Sequence, residues 1–259
     1  MEVAKWKTVR AEELDDGRLL RVTLDAGKGN VIGGSVIREL REVLALMAPA
    51  AGLRALVLDH AGPHFSFGAS VEEHAPGLVR DMLPELHALA RDLLATHLPI
   101  LACVRGACLG GGLELAALAH RIFAAPDARL GQPESQLGVF APLGSLLLPQ
   151  IVGPARAADL LLSGRAVDAQ EALAMGLVAE IADDPLEAAL AWARAHLVPK
   201  SAASLRFVTR ALRATFERRL LDGLAELERV YLDELMLQHD AREGIAAFLE
   251  KRRPAWEDR

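Results

Sequence analysis

The sequence has few cysteines, few aromatic residues and no long apolar segment. Only two of its 259 residues are cysteine and 4% are aromatic. Cys103 and Cys108 lie in one apolar run, which predicts buried, reduced side chains in a cytoplasmic protein rather than a disulfide or a metal pair. No stretch of 18 uncharged apolar residues exists, which excludes a membrane-spanning helix. Residues 1–5 are not followed by the apolar core of a signal peptide, so we expect no secretion.

Basic residues are also in the minority. The 29 Lys and Arg residues against 35 Asp and Glu give a formal net charge of −6, which argues against a nucleic acid as partner. A hydrophobic content of 52% with 25% charged residues excludes intrinsic disorder. The length is sufficient to bury a sizeable core in one or two domains.

Short apolar strands alternate with helical patterns in the first part of the chain. Strands are predicted at residues 19–24, 55–58, 100–104 and 121–125, and helices at residues 36–47, 79–98 and 113–120. This alternation predicts an α/β fold with parallel strands and right-handed crossovers. After residue 150 helices dominate. Capped helices are predicted from Pro154 to Ser163 and after Asp168, and an apolar stripe over residues 212–235 predicts a long helix that packs on its own domain or on a sister subunit.

A glycine-rich segment follows the strand at residues 100–104. Residues 105–116 read Arg-Gly-Ala-Cys-Leu-Gly-Gly-Gly-Leu-Glu-Leu-Ala, and three consecutive glycines there are costly in conformational entropy. Glycines at this turn let a ligand approach the backbone, and the N–H groups at a helix start can hold a developing oxyanion. Glu114 falls in the first helical turn, where the dipole favours a carboxylate. Close helix–strand packing explains the same pattern equally well.

A second polar loop follows the strand at residues 55–58. Ser70 and Glu73 have the spacing of a capping box, which predicts that a helix begins there. The N–H of Ala69 would then lie at a loop-to-helix junction, as that of Gly111 does, and the two N–H groups could meet on one oxygen. The serines of this loop are not flanked as a nucleophile elbow, which disfavours a serine hydrolase.

A third loop places Glu134 between glycine and proline residues after the strand at residues 121–125. Glu114 and Glu134 are thus two acids at the ends of successive strands, and such a pair around one water can deliver hydroxide and a proton. Taken alone, Glu134 is an ordinary turn residue.

The glycines of residues 27–33 partly match the glycine-rich turn in the first half of a dinucleotide-binding fold. Their spacing differs from the dinucleotide fingerprint, and Asp59 is farther along the chain than the acidic residue that binds the ribose. Nicotinamide binding is therefore a disfavoured alternative.

Together these segments resemble the crotonase superfamily of enoyl-CoA hydratases and isomerases. The likeness rests on residues 109–116, on Gly-Gln-Pro-Glu at residues 131–134, and on Arg-Glu-Gly-Ile-Ala-Ala-Phe-Leu-Glu-Lys-Arg at residues 242–252. It implies a crotonase-like spiral of ββα repeats over residues 1–195, with the CoA and active site, and a C-terminal helical trimerisation region over residues 196–259. It also implies a homotrimer or a hexamer.

The resemblance implies residue roles as well. The thioester oxygen would lie between the N–H groups of Ala69 and Gly111. Glu114, mainly as base, and Glu134, mainly as proton donor, would hold the nucleophilic water, although which acid has which role stays open. Coenzyme A is part of the substrate, so no separate cofactor and no metal is expected. The residues expected to contact the acyl-CoA are Lys28, Phe67, Gly68, Gly110, Phe140, Pro142, Phe248 and Lys251.

Departures from the superfamily pattern limit the range of acyl groups that we expect the protein to bind. Ser70 replaces the usual Asp, and Glu72 stands where a basic CoA contact is common. Residues 141–145 (Ala-Pro-Leu-Gly-Ser) replace a Gly-rich loop, and the proline predicts a stiffer pocket floor. Residues 68–74 and 138–142 look like the branch that hydrates cyclohexa-1,5-diene-1-carbonyl-CoA in anaerobic benzoyl-CoA degradation.

The leading hypothesis is therefore an enoyl-CoA hydratase-type lyase that adds water to a conjugated acyl-CoA. The alternatives are a general short-chain enoyl-CoA hydratase, a double-bond isomerase, and a non-catalytic CoA-ester-binding or RNA-binding relative. The presence of both Glu114 and Glu134 favours hydration, because isomerases of the superfamily commonly keep one acid. The net negative charge disfavours RNA. The acyl group, the direction of flux and the choice between trimer and hexamer stay open.

Overall fold

The computed structural model describes residues 6–75 and 77–259; residues 1–5, considered above for a signal peptide, lie outside them. The strands are β1 (Val9–Leu14), β2 (Leu19–Leu24), β3 (Ala55–His60), β4 (Ile100–Val104), β5 (Ala107–Leu109), β6 (Arg121–Ala124), β7 (Arg129–Gly131), β8 (Ala166–Asp168) and β9 (Glu180–Ile181). The helices are α1 (Gly34–Met47), α2 (Val79–Ala95), α3 (Gly111–Ala117), α4 (Pro142–Ile151), α5 (Pro154–Ser163), α6 (Ala169–Ala174), α7 (Pro185–His196), α8 (Ala202–Asp233) and α9 (His239–Leu249).

A six-stranded sheet with the order β1-β2-β3-β4-β6-β9 carries the core. Its strands are parallel except for the antiparallel pair β1–β2. Strand β4 is buried along its whole length, as expected for an all-apolar run between two layers. The carboxyl ends of β2, β3 and β4 meet at one edge, where a ligand site is expected in an open parallel sheet. The predicted α/β fold is confirmed.

A smaller sheet with the order β5-β7-β8 lies beside this edge. Single β-bridges connect the loops around it: Ile32 pairs with Ala69, and Ser66 pairs with Cys108. The buried Ser66 hydroxyl reinforces the junction, because it donates to the Asn30 carbonyl at 2.8 Å and accepts the Gly68 N–H at 3.0 Å. These bridges fix the loop after β3 against the strand that precedes α3.

Several local predictions are confirmed. Helix α5 begins at Pro154 and ends at Ser163, and Asp168 caps α6 by accepting the Glu171 N–H at 2.8 Å. Cys103 and Cys108 are both unpaired and buried. Within the described part of the chain, none of the helices combines the length and the apolar character needed to cross a membrane.

The predicted helix start at Ser70 is wrong. Its hydroxyl does accept the Glu73 N–H, at 3.3 Å, but only a three-residue 3-10 turn (Glu72–His74) forms, and α2 begins at Val79. The Glu73 carboxylate accepts the Gly34 N–H of α1 at 3.0 Å, so it does not close the capping box. Ala69 is consequently a β-bridge residue rather than a helix-start residue.

The long C-terminal helix extends beyond the apolar stripe that predicts it. Helix α8 has 32 residues and begins ten residues before the predicted stripe, with the Ser201 side chain accepting the Ser204 N–H at its start. Leu212, the first residue of that stripe, is 70% exposed, whereas Leu220, Leu224 and Tyr231 are buried. The division of the chain at residues 195 and 196 stays a prediction.

Candidate active site

Two glycine-containing loops cross at the edge of the large sheet. A Cβ atom on Gly68 would lie 3.0 Å from the carbonyl oxygen of Leu109, and one on Gly111 would lie 3.1 Å from the nitrogen of Ala69. Gly68 also has φ +108°, a conformation that side-chain-bearing residues rarely adopt. Glycine is therefore required for the two backbones to approach this closely.

This crossing places two N–H groups side by side. Gly111 is the first residue of α3, so its N–H has no acceptor within the helix. The N–H of Ala69 donates to no acceptor among residues 6–75 and 77–259. Both residues line one cavity, called the site cavity below. Two unused donors on a shared wall are suited to bind one oxygen as it gains negative charge.

Glu114 is fixed by the start of α4. Its side chain is buried, and its Oε1 accepts the Gly144 N–H at 2.7 Å. Pro142 is the first residue of α4, and the N–H groups that follow it point at the carboxylate. A helix start thus holds this carboxylate at the cavity floor.

Glu134 lies on a 3-10 turn (Pro133–Leu137) after β7 and lines the same cavity. Its Oε1 would be 2.7 Å from a Cβ atom on Gly110, whose φ is +51°. Glycine at position 110 therefore leaves the space that this carboxyl group occupies. With its amide nitrogen turned toward the carboxyl group, the buried Gln132 donates to both oxygens of Glu134 at 3.0 Å.

Burial changes the titration of both acids. Desolvation raises the pKa of Glu114 to about 7, against the opposing effect of the N–H groups of Gly144 and Leu143. Desolvation and the charge of Glu114 raise the pKa of Glu134 to about 8. Two acids whose pKa values are raised in this way are partly protonated near neutral pH, so the pair can supply an acid and a base together.

Comparisons with known proteins agree with this geometry. The sequence profile described as enoyl-CoA hydratase/isomerase matches residues 16–259. The chain belongs to the enoyl-CoA hydratase/isomerase family. The chain is 51% identical over 244 residues to a cyclohexa-1,5-dienecarbonyl-CoA hydratase of Thauera aromatica, covering 94% of this chain and 95% of that protein. It is 34% identical over 245 residues to a probable enoyl-CoA hydratase of Bacillus subtilis, covering 90% and 93%.

The fold is shared with solved members of the enoyl-CoA hydratase/isomerase family. A crystal structure of an enoyl-CoA hydratase/isomerase from Pseudoalteromonas atlantica superposes with a TM-score of 0.86 at 26% identity, covering 96% of this chain and all of that one. The predicted crotonase-like fold and the predicted hydratase-type lyase are confirmed.

Nine of the twelve predicted site residues line the site cavity. They are Phe67, Gly68, Ala69, Gly110, Gly111, Glu114, Glu134, Phe140 and Pro142. Their roles in binding and catalysis stay predictions. A larger cleft of about 1060 Å³ lies between α1 and α2, but none of the predicted site residues lines it.

The other three predicted residues lie outside the cavity lining in the described part of the chain. Lys28 is exposed beside Gly29, and a Cβ atom on Gly29 would lie 2.6 Å from the Phe67 ring, so Lys28 is near the lining. Phe248 and Lys251 are exposed at the end of α9. The same helix contributes Ile245 to the cavity.

Sequence reasoning missed the part of the site that comes from helices. Tyr231 of α8 and Leu83 and Leu86 of α2 line the site cavity, as does His74. The apolar stripe of Tyr231 and the predicted helix at residues 79–98 indicate packing, and His74 belongs to the segment at residues 68–74, for which the resemblance implies no role of His74 itself. The one sequence feature that singles out Tyr231 is that it is the only tyrosine of the 259 residues.

The raised pKa values predict how stability depends on pH. A carboxyl group whose pKa is higher in the folded than in the unfolded chain stabilises the fold below its unfolded pKa, and loses that contribution as pH rises through the folded pKa. We therefore expect the melting temperature of Glu134→Gln, relative to that of the parent protein, to increase from about pH 5 to about pH 8 and to level off at higher pH. Paired thermal melts measure this difference. A difference that stays constant or shrinks over this pH range would contradict the raised pKa of Glu134.

Proposed function

We propose that the protein adds water to cyclohexa-1,5-diene-1-carbonyl-CoA. The observation that carries the proposal is that one cavity is lined by the buried Glu114, the half-buried Glu134 and the unused N–H groups of Ala69 and Gly111. The name of the Thauera aromatica relative supplies the acyl group. Coenzyme A enters as part of the substrate.

In the proposed reaction the thioester oxygen accepts hydrogen bonds from Ala69 and Gly111. Glu114 removes a proton from water, hydroxide adds at one terminus of the conjugated diene, and negative charge moves onto the thioester oxygen. Glu134 protonates the other terminus, which completes a 1,4-addition. One backbone donor of this kind typically contributes a factor of roughly 10² to 10³ in rate.

The walls of the cavity support a ring-shaped acyl group. Phe140 and Tyr231 lie with their ring centroids 5.3 Å apart, and Leu83 and Leu86 of α2 add apolar surface. Pro142 fixes the backbone at the start of α4. A stiff, apolar wall favours a flat ring over a flexible chain, because a ring loses little conformational entropy on binding.

The substrate proposal is tested by offering the purified protein cyclohexa-1,5-diene-1-carbonyl-CoA and crotonyl-CoA separately. We expect kcat/KM for the cyclic ester to exceed that for crotonyl-CoA at least about tenfold, which is ~1.4 kcal/mol of differential transition-state binding. Product masses identify the hydrated esters. Equal or reversed preference would make the protein a general short-chain hydratase.

Two further features of the proposal concern charge and assembly. Coenzyme A is anionic and the chain has a net charge of −6, so we propose Lys28 and Lys251, both exposed, as the cations that bind it.

Phe207 and Leu212 of α8 are 68% and 70% exposed, which supports association into trimers or hexamers. The two unpaired, buried cysteines support a reducing cytoplasmic compartment.

A further inference from the structure

The hydroxyl group of Tyr231 is buried without a partner. The residue is 1% exposed, and its hydroxyl oxygen has no hydrogen-bond partner among the residues that the structure describes. Leaving a buried hydroxyl unpaired costs free energy comparable to a lost hydrogen bond. Phenylalanine would fill the same space without that cost. The hydroxyl is therefore expected to acquire a partner in another state of the protein.

That partner must come from the site cavity, which Tyr231 lines together with Glu114 and Glu134. The neighbouring ring of His74 is not hydrogen-bonded to this hydroxyl, and its Nδ1 donates to the Ser70 carbonyl oxygen at 2.7 Å. Burial and the charges of Glu134 and Glu114 hold the pKa of Tyr231 above its usual range. The phenol thus stays protonated, and it can donate a hydrogen bond at every pH at which the enzyme works.

The reaction brings two oxygen atoms into this cavity. The thioester oxygen is assigned to the N–H groups of Ala69 and Gly111. In the proposed reaction the oxygen of water has two protons, which face Glu114 and Glu134, and two lone pairs, one of which attacks the terminal carbon of the conjugated diene. Its second lone pair needs a donor. Tyr231 is the one unpaired donor side chain on the described cavity wall.

We propose that the Tyr231 hydroxyl donates a hydrogen bond to the oxygen atom that the reaction adds to the acyl group. The contact forms with the attacking water and is kept by the hydroxyl group of the product. It therefore stabilises the hydroxyacyl thioester and the transition state that leads to it. The inference rests on the proposed hydration, and it adds a third side chain to the two carboxyl groups that surround the water.

Tyr231→Phe tests the inference, because it removes the oxygen alone. We expect kcat/KM to fall about tenfold in hydration and equally in dehydration, since an enzyme leaves the overall equilibrium constant unchanged. KM for the hydroxyacyl ester should rise about tenfold. The inhibition constant of the saturated ester, which has no oxygen at this position, should change less than twofold.

Thr209→Val is the matched control, because it removes another buried hydroxyl from α8, about 33 Å away along the helix. It should leave all of these constants unchanged. Melting temperatures of Tyr231→Phe at or above the parent value show that the fold is intact. The inference is overturned if Tyr231→Phe leaves kcat/KM within twofold of the parent value. It is also overturned if the variant weakens binding of the saturated and hydroxylated esters equally, because the hydroxyl would then contribute only to packing.

The ester series keeps this test separate from the substrate proposal. The measurements use cyclohexadienecarbonyl-CoA with its hydrated and saturated counterparts if the parent protein hydrates it. Otherwise they use crotonyl-CoA, 3-hydroxybutyryl-CoA and butyryl-CoA. A parent protein that hydrates only crotonyl-CoA refutes the cyclic substrate, while the comparison of variants still decides the role of Tyr231. A parent protein that hydrates neither ester refutes both.

Discussion

Glu134→Gln is expected to lower kcat for hydration by roughly 10² to 10⁴, the usual contribution of a positioned acid or base. Glu114→Gln should have an effect of the same size. Glutamine keeps the size of the side chain but cannot take up or release the proton that each acid transfers in the proposed reaction. Initial rates with the preferred ester, at saturating concentration, measure the loss.

Binding separates this chemical loss from a structural one. In the proposed reaction both carboxyl groups act on the water rather than on the thioester, so the inhibition constant of a saturated acyl-CoA should stay within about threefold of the parent value. Glu187→Gln, an exposed change at the start of α7, is the matched control and should retain full activity. Near-normal turnover in both site variants would refute the two-carboxylate mechanism.

Gly111→Pro is expected to lower kcat by a factor of roughly 10² to 10³, because it removes one of the two N–H groups assigned to the thioester oxygen. Gly111 is the first residue of α3, and proline is well accepted at the first position of a helix. The helix should therefore survive. A side chain at this position also presses on the neighbouring loop, since a Cβ atom would lie 3.1 Å from the Ala69 nitrogen.

Far-ultraviolet circular dichroism and a thermal melt establish that Gly111→Pro is folded before its rate is interpreted. Ala202→Pro is a suitable companion, because it also places proline at the first position of a helix, after an extended residue with ψ 125°. It should remain active. A folded Gly111→Pro protein with full activity would remove Gly111 from the oxyanion site.

The elements that sequence predicted best are those whose pattern is local. β2 and α5 have the predicted bounds because each is framed by turn or capping residues in the sequence itself. The glycines and the acid pair were found because their motifs are contiguous. What was missed depends on distant contacts. The N–H of Gly144 holds Glu114 across 30 residues, and Glu73 turns to Gly34 across 39 residues instead of capping its own turn.

Tyr231 shows the same limit within one helix. Its position in the apolar stripe of α8 predicted burial, and it is buried. Whether a buried ring faces a core or a cavity depends on the elements packed opposite it, here the residues around Phe140. The spacing of apolar residues predicts which side of a helix is buried. It does not predict whether that side packs against a core or lines a cavity.

The crossing of the two glycine loops has a consequence for refolding. Ala69 is bridged to the loop after β2, whereas Gly111 follows β5 of the small sheet, and α2 and β4 separate them along the chain. The two N–H groups come together only when the Ser66–Cys108 bridge joins the loops. Formation of such non-local contacts is slow compared with helix formation. In a refolding experiment, recovery of activity should therefore lag behind recovery of the helical circular dichroism signal. Activity would then measure the formation of these late, non-local contacts.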